Sequence, residues 1–508
     1  MELEQCLSHL NCYDTVLDTT LTREETMEFI VPDACPDIFR VVDTSCTPFL
    51  GKKETQDGRA VLSGTARVSV LYEPDGEGGT CCLDLNVPWA SNLDRGDIRQ
   101  NSKITAIPRV LGAETRLLNP RKVLVRVELA FSLRIYAPKT TDICCGVNCG
   151  EETGVQQQKK AYKNYMVSNV QEKNFTFSDD LGISGNKPPA EKILRQRAEI
   201  VPGEARIIGT KLVLKGEIHL FILYQAKDSN PSSARFELPY SQIMDVQGTG
   251  EEAVPTVDIM MNDMTCGVSD GEGRVFSVTL SLTAQAVIRE ERAVEVLSDL
   301  YSILYDMKAT RSVLDLNTKS GSGILHQAVR EIAEAPENVN NVVDLEARVG
   351  RTNVSREGNE MVVSAEACVN ALCMGDDGRM NSVRKTIPVT TRMEAEDADN
   401  LVIDPQISGE TIATPASNGI EVRLGMDFRY LLLKPQQVAC ASNPVLDEKS
   451  PRDTMGKPSV VLRSVARGET LWEIARDYAT TMNDIVQANG MEEEEPLSGQ
   501  LLLIPKKR

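Results

Sequence analysis

Residues 61–72 read VLSGTARVSVLY, and residues 213–224, about 150 positions later, read VLKGEIHLFILY in an ungapped alignment. A third and weaker copy stands at 362–373, VVSAEACVNALC. One parity is apolar or small: Leu62, Gly64, Ala66, Val68, Val70 and Tyr72 in the first copy, Leu214, Gly216, Ile218, Leu220, Ile222 and Tyr224 in the second. A period of two marks a strand with one face in a core. The opposite parity is mixed, with Ser63, Thr65 and Arg67 becoming Lys215, Glu217 and His219, and is expected to face solvent or a partner.

Further landmarks recur in the same order around each copy. Val87-Pro88-Trp89, Leu238-Pro239-Tyr240 and Ile387-Pro388-Val389 follow the three strands. A proline there belongs on an edge strand or a strand end, because it has no donor for a ladder. A second alternating strand closes each unit, at 123–135, 275–288 and 420–430. Upstream, Pro36, Asp37 and Ile38 with Val41 and Val42 have loose counterparts at 189–194 and 336–345, and turn clusters at 73–79 and 374–378 separate the strands.

Each unit therefore reads as a lead-in, a strand, a proline-marked strand and a long closing strand. The expected fold class is multidomain and mostly β, with three related β-sandwich or barrel-like repeats at 1–137, 161–300 and 321–440. Segment 138–160, rich in Lys, Thr, Gly, Cys and Gln, reads as a linker, and 301–320 as a connector. Within 293–316, Val296, Leu300, Ile303, Leu304 and Met307 fall at helical spacing, and the segment reads equally as a helix or an extended connector. Residues 441–458, polar with three prolines, read as a tether.

The tether leads to a small module at 459–506. A strand at 460–466 runs into a tight turn, after which Thr470 caps a helix and Glu473 completes a capping box. Leu471, Ile474, Ala475 and Tyr478 share one face of that helix. Thr481 caps a second helix, with Asp484 in its first turn near the positive end of the dipole and Ile485 and Ala488 facing inward. A second strand, 501–504, stops at Pro505.

The string G-E-T-L-W-x-I-A, then T-x-x-x-I-x-x-A-N-G, then G-Q-L-L-L-I-P is identified as a LysM domain, a βααβ binding fold without chemistry of its own. In glycan-binding members the acetamido-sugar lies in a shallow groove between two loops. By that resemblance Gly468, Glu469, Thr470 and Leu471, with Asn489, Gly490, Met491, Pro496, Leu497 and Ser498, are the candidate ligand- or partner-binding residues. The second loop departs from the usual I-Y-P-G-Q, carrying Pro496-Leu497-Ser498-Gly499-Gln500 without the aromatic residue. Four acids at 492–495 precede it, either as a solvated loop or as a negative rim that favours a basic protein surface over a neutral or acidic glycan.

The proline-led lead-in and the strands at 61–72 and 213–224 resemble the SPOCS domain of spore-coat proteins. Followed by a C-terminal LysM, the order of parts is similar to that of SipL-like spore morphogenetic proteins. The resemblance implies a non-enzymatic sporulation scaffold that links the spore coat to the forespore surface from the mother-cell cytoplasm. It further implies that the LysM docks a coat-morphogenetic ATPase and that the SPOCS repeats can self-associate. The alternative is a LysM that binds N-acetylglucosamine oligomers of peptidoglycan or chitin.

Composition bounds these readings. The 508 residues carry a formal charge of −19, and such an acidic surface repels phosphate backbones and anionic headgroups, so nucleic acid is a poor partner. Only 5% are aromatic, so the cores must be largely aliphatic. The start, MELEQCLSHLNCYD, has neither basic leader nor apolar core, and no stretch of 18 apolar residues occurs, so neither export by the usual route nor a membrane span is expected. Thirteen cysteines without a signal peptide fit reduced thiols in a cytosol.

No catalytic constellation stands out. Cys144, Cys145 and Cys149 are close enough to share zinc but lack a second Cys or His pair at ligand spacing, which leaves free thiols as the plainer reading; Cys81 and Cys82 are alike. His219 aligns with Arg67 and Cys368, so that position carries no common chemistry, and His9 and His326 have no partner in sequence. Nucleophile-elbow, zinc-protease and phosphate-loop motifs are missing. The chain reads as a non-enzyme with no cofactor or metal, and three related copies argue against a single hidden hydrolase site.

Overall fold

In every unit the repeated strand lies in the middle of a three-stranded antiparallel sheet. In the first repeat β2 (Ile38–Gln56) and β4 (Cys81–Asp94) flank β3 (Arg59–Pro74). In the second β8 (Ala190–Ile208) and β10 (Pro231–Asp245) flank β9 (Lys211–Ala226), and in the third β14 (Val339–Glu357) and β16 (Met380–Glu394) flank β15 (Glu360–Gly375). The long closing strand centres a second set of three antiparallel strands, and the sets of the first two repeats join through a Tyr13–Val167 pair into one six-stranded sheet. Thus β6 (Lys122–Asn148) lies between β1 (Glu4–Ile30) and β5 (Lys103–Asn119), β12 (Val275–Ser302) between β7 (Val155–Gly182) and β11 (Val254–Val268), and β18 (Gly419–Pro451) between β13 (Tyr305–Glu334) and β17 (Asn400–Ala416). The computed structural model describes residues 3–76, 79–227, 231–250, 252–335, 338–396, 400–452, 458–491 and 496–506.

The two sheets of a repeat share one core. In the first, Leu62, Ala66, Val68 and Val70 of β3 cluster with Val123, Val125, Val127 and Leu129 of β6. The parity read from the sequence is therefore the buried one. Pro88, Pro239 and Pro388 sit on the edge strands β4, β10 and β16, where a missing donor breaks no ladder. The last residue of the repeated strand ties it to the lead-in: Tyr72 Oη donates to Pro36 O at 3.3 Å, and Tyr224 Oη to Pro188 O at 3.0 Å. The molecule is mostly β and multidomain, as its alternating pattern requires.

The three connecting segments differ from their sequence reading. The expected linker 138–160 is occupied by the ends of β6 and β7, separated by one short 3-10 turn, Glu151–Thr153. The connector 301–320 is likewise strand: β12 ends at Ser302 and β13 begins at Tyr305. The helical spacing in 293–316 is therefore a coincidence of an extended chain in which Val294, Val296, Leu297, Leu300 and Tyr301 are buried. In the tether, β18 continues to Pro451, while residues 453–457 lie outside the described ones.

These long strand ends are where the repeats join. Leu10 and Ile143, Met166 and Val294, and Leu314 and Val438 come from the first, second and third repeats and form one apolar cluster. A second junction gathers equivalent residues of the first sheets. Leu71, Leu223 and Leu372 hold the same place in the aligned strands, and they meet Val42, Leu194 and Val343, each sitting at a β-bulge. Burying a face against another repeat rather than its own core explains why polar residues intrude on these segments. Among the described residues no helix is long and apolar enough to cross a membrane.

Candidate functional site

The C-terminal module consists of β19 (Val460–Ser464), α1 (Leu471–Asp477), α2 (Met482–Asn489) and β20 (Leu501–Pro505). Both helices start where hydroxyl caps stand. Thr470 Oγ1 accepts from Glu473 N at 3.3 Å while Glu473 Oε2 accepts from Thr470 N at 2.9 Å, and Thr481 Oγ1 accepts from Asp484 N at 3.0 Å. The Thr470 donors, outweighing slight burial, hold the Glu473 carboxyl below its usual range. Leu471, Trp472, Ile474, Ala475, Ile485, Leu502 and Ile504 form the core.

Two backbone bonds lay the loops side by side: Val465 N donates to Gln500 O and Gly499 N to Val465 O, each at 2.9 Å. Within the first loop, Gly468 turns through a left-handed φ of 78° with open space where a Cβ would stand. Glu469 is spent on the loop itself, accepting from Arg463 Nη2 at 2.6 Å and from Ala466 N at 3.0 Å. Thr470 is exposed beside its cap, and Leu471 is buried in the core.

In the second loop Asn489 is a splice. Its amide donates to Ile485 O at 2.8 Å and Leu503 O at 2.7 Å and accepts from Leu503 N at 2.7 Å, joining α2 to β20. Gly490 ends α2 with a left-handed φ of 56°. Met491 and Pro496 are half-buried, and Leu497 and Ser498 are exposed. The acidic run 492–495 lies outside the described residues. Of the ten candidates, Leu471, Glu469 and Asn489 thus serve the fold, while Gly468, Thr470, Leu497 and Ser498 offer surface.

Two features escaped the sequence reading. On the outer face of the two-stranded sheet Val460, Leu462, Leu501 and Leu503 form an aliphatic stripe, each residue 43 to 63% exposed. The alternation of Leu501 and Leu503 with the buried Leu502 and Ile504 was its signal. The other is the seating of α1 on the second repeat. Trp472 packs edge-on to Tyr301 with ring centroids 4.9 Å apart, and Trp472 Nε1 donates to Asp299 Oδ2 at 3.0 Å. Arg476 Nη1 reaches the same oxygen at 2.6 Å, and Tyr301 Oη donates to Thr480 O at 2.8 Å. Burial, reinforced by Asp299, pushes the Tyr301 phenol up and keeps it a donor.

The other candidates are satisfied locally. Cys144 Sγ donates to Gly146 O at 3.3 Å, Cys145 Sγ to Cys6 O at 3.2 Å, and Cys149 is exposed. All thirteen cysteines are free thiols, and among the described residues no group of three or more His, Cys, Asp or Glu is placed to hold a metal ion. Each histidine sits beside a carboxylate on its sheet: His9 with Asp142 at 2.6 Å, His219 with Glu217 at 3.3 Å and His326 with Asp427 at 2.6 Å.

Compared with known families, residues 189–269 match the SipL, SPOCS domain and residues 464–505 match the LysM domain. No curated protein matches the chain. The first match spans β8 to β11 of the second repeat, and the second covers the module just described. The chain is SipL-like in carrying both. Both are binding rather than catalytic domain types, and together they suggest a sporulation-related protein whose LysM is of a kind that binds glycans.

Proposed function

We propose that this chain is a non-enzymatic scaffold of spore assembly, linking the coat to the forespore surface from the mother-cell cytoplasm, with its LysM docking a coat-morphogenetic ATPase. One observation carries the reading: a SPOCS domain and a LysM domain stand in one chain. The exposed aliphatic stripe of β19 and β20 supports a protein partner, because a contiguous apolar face at a module surface is what protein docking uses. The second loop, without the usual aromatic residue, supports it too. Removing residues 458–508 is expected to abolish pull-down of the ATPase while the repeats keep their β-sheet circular dichroism. Retained pull-down overturns the docking role.

The second reading, glycan binding, is favoured by the LysM match itself and by the open surface at Gly468. It predicts heat on titrating N-acetylglucosamine oligomers into the intact chain, diminished by substitutions at Gly468, Thr470 and Met491. No heat at millimolar sugar rules against it.

A further inference from the structure

Two contacts between repeats are built alike. In one, the first sheet of repeat one abuts the edge strand β11 of repeat two. Phe49 is buried in the core of repeat two beside Met264, and Arg67 donates to Met264 O at 2.6 Å and pairs with Asp263 at 2.9 Å. In the other, the first sheet of repeat three abuts β5 of repeat one. Arg384 donates to Ala113 O at 2.6 Å, and Arg351 pairs with Glu128. The two carbonyls are equivalent. Met264 lies opposite Leu280 and Ala113 opposite Val127, which hold the same place in the aligned strands β12 and β6. An arginine of one repeat thus clamps the same edge carbonyl of the next.

Among the described residues, the remaining pairing, repeat two against β17 of repeat three, has its parts but no such clamp bond. His219 takes the place of Arg67, and Arg235, opposite Phe221, takes the place of Arg384 opposite Asn370. Both clamp positions are basic again: His219 is half-buried and pairs with Glu217 of its own strand, and Arg235 is exposed and lies 5.5 Å over the Phe221 ring. Val201, in the place of Phe49, borders an open groove with Gly203, Gly216, Pro239 and Tyr240, all of repeat two. On the other side β17 is irregular between Ser408 and Ile412, at the place that Met264 and Ala113 hold in β11 and β5. There Gly409 and Glu410 are exposed, and Ile412 is 45% exposed.

We propose that these two surfaces meet between copies of this chain: the β8–β9–β10 sheet of one copy receives the β17 edge of the next. Continuity with an interface that the chain already makes twice identifies the occupant. Lys215 and Arg235 would face Glu410; because Glu204 and Glu217 also border the groove, shape and the carbonyl clamp define the match more than net charge. Donor and acceptor faces differ, so the contact is heterologous and propagates head to tail into chains or closed rings. This deepens the scaffold reading by naming the surfaces of self-association, yet rests on repeat geometry alone and is tested apart from ATPase docking.

The full chain is expected to show a sedimentation mass that rises past the dimer with concentration. His219→Glu with Arg235→Glu disables the donor face and Ile412→Arg the acceptor edge; each variant should stay monomeric alone. Mixed one to one, they should form dimers and nothing larger, since one intact face of each survives. A wild-type chain that is monomeric throughout, variants that associate like wild type, or a mixture that does not dimerise overturns the proposal. Carbodiimide crosslinking in a mixture of light and nitrogen-15 chains separates closure within one molecule. Lys215–Glu410 crosslinks of mixed isotope support the contact between copies, whereas same-isotope crosslinks alone overturn it.

Discussion

Asp43 of the first repeat and Arg195 of the second meet at 2.7 Å with their side chains 0% and 4% exposed. The same carboxylate accepts from Arg384 of the third repeat at 2.7 Å, so one acid ties all three repeats beside the bulges at Val42, Leu194 and Val343. Burial pushes its pKa up, but the two guanidinium groups outweigh burial and hold it at about 2. A folded pKa below the ordinary 3.8 means the stabilisation is complete above 3.8 and is lost as pH falls toward 2. Asp43→Ala strands a buried guanidinium and is expected to cost about 3 to 5 kcal/mol. Adding Arg195→Met should recover much of that in urea unfolding; a single variant that unfolds like wild type shows that the pair does not hold the junction.

Asp258 on β11 has the opposite sign. Burial first, then the nearby Asp404, pushes its carboxyl up to about 6 against the pull of Arg134, Arg109 and Arg429. The folded state therefore holds this proton more tightly than the unfolded chain does. Its contribution is complete below 3.8 and is lost as pH rises through about 6. Each tenfold change in proton affinity is worth about 1.4 kcal/mol, so Asp258→Asn is expected to raise stability at neutral pH by about 1 to 3 kcal/mol. It should also flatten the dependence of melting temperature on pH between acid and neutral. An unchanged slope would assign the titration to another group.

Gly216 is required by its neighbours. It lies opposite Tyr240, and a Cβ there would stand 2.5 Å from Val201 O and press on the Tyr240 hydroxyl. Gly64 stands in the same relation to Trp89. Gly216→Ala should cost about 1 to 3 kcal/mol by overpacking, read as a drop in the denaturation midpoint, and Gly216→Ala with Tyr240→Val should regain part of it.

That pairing also shows how far the sequence could be read. In the weaker third copy alanine stands in the place of that glycine, and Ala365 lies opposite Val389, where no aromatic ring needs the space. Strand, parity and proline-marked edge were legible because each sandwich buries its own alternating face. Segments 138–160, 301–320 and 441–458 were not, for a physical reason. Residues such as Ile143, Leu316 and Ala441 bury against other repeats, and bulges between Thr15 and Leu17 and between Lys319 and Gly321 shift the parity. In the C-terminal module the capping box announced α1, but nothing in the signature announces that Trp472 is shared with a strand 173 positions away.

That shared tryptophan gives the last prediction. Asp299 accepts from both Trp472 Nε1 and Arg476, so Asp299→Ala removes two bonds at once from the seat of the LysM, one of them to a cation. Bonds to charged groups are worth about 1.5 to 3 kcal/mol each, enough to shift a docked module toward release. The chain has two tryptophans, and Trp89 lies in the first repeat's core next to Phe131, with centroids 4.3 Å apart. In Asp299→Ala, acrylamide should therefore quench a new tryptophan component, that of Trp472, while Trp89 stays protected. Tyr301→Phe, which loses only the bond to Thr480 O, should give a smaller effect. If the repeats hide the LysM face used by its partner, Asp299→Ala should also strengthen ATPase pull-down; unchanged capture would mean that the partner binds the outward β19–β20 stripe with the module still seated.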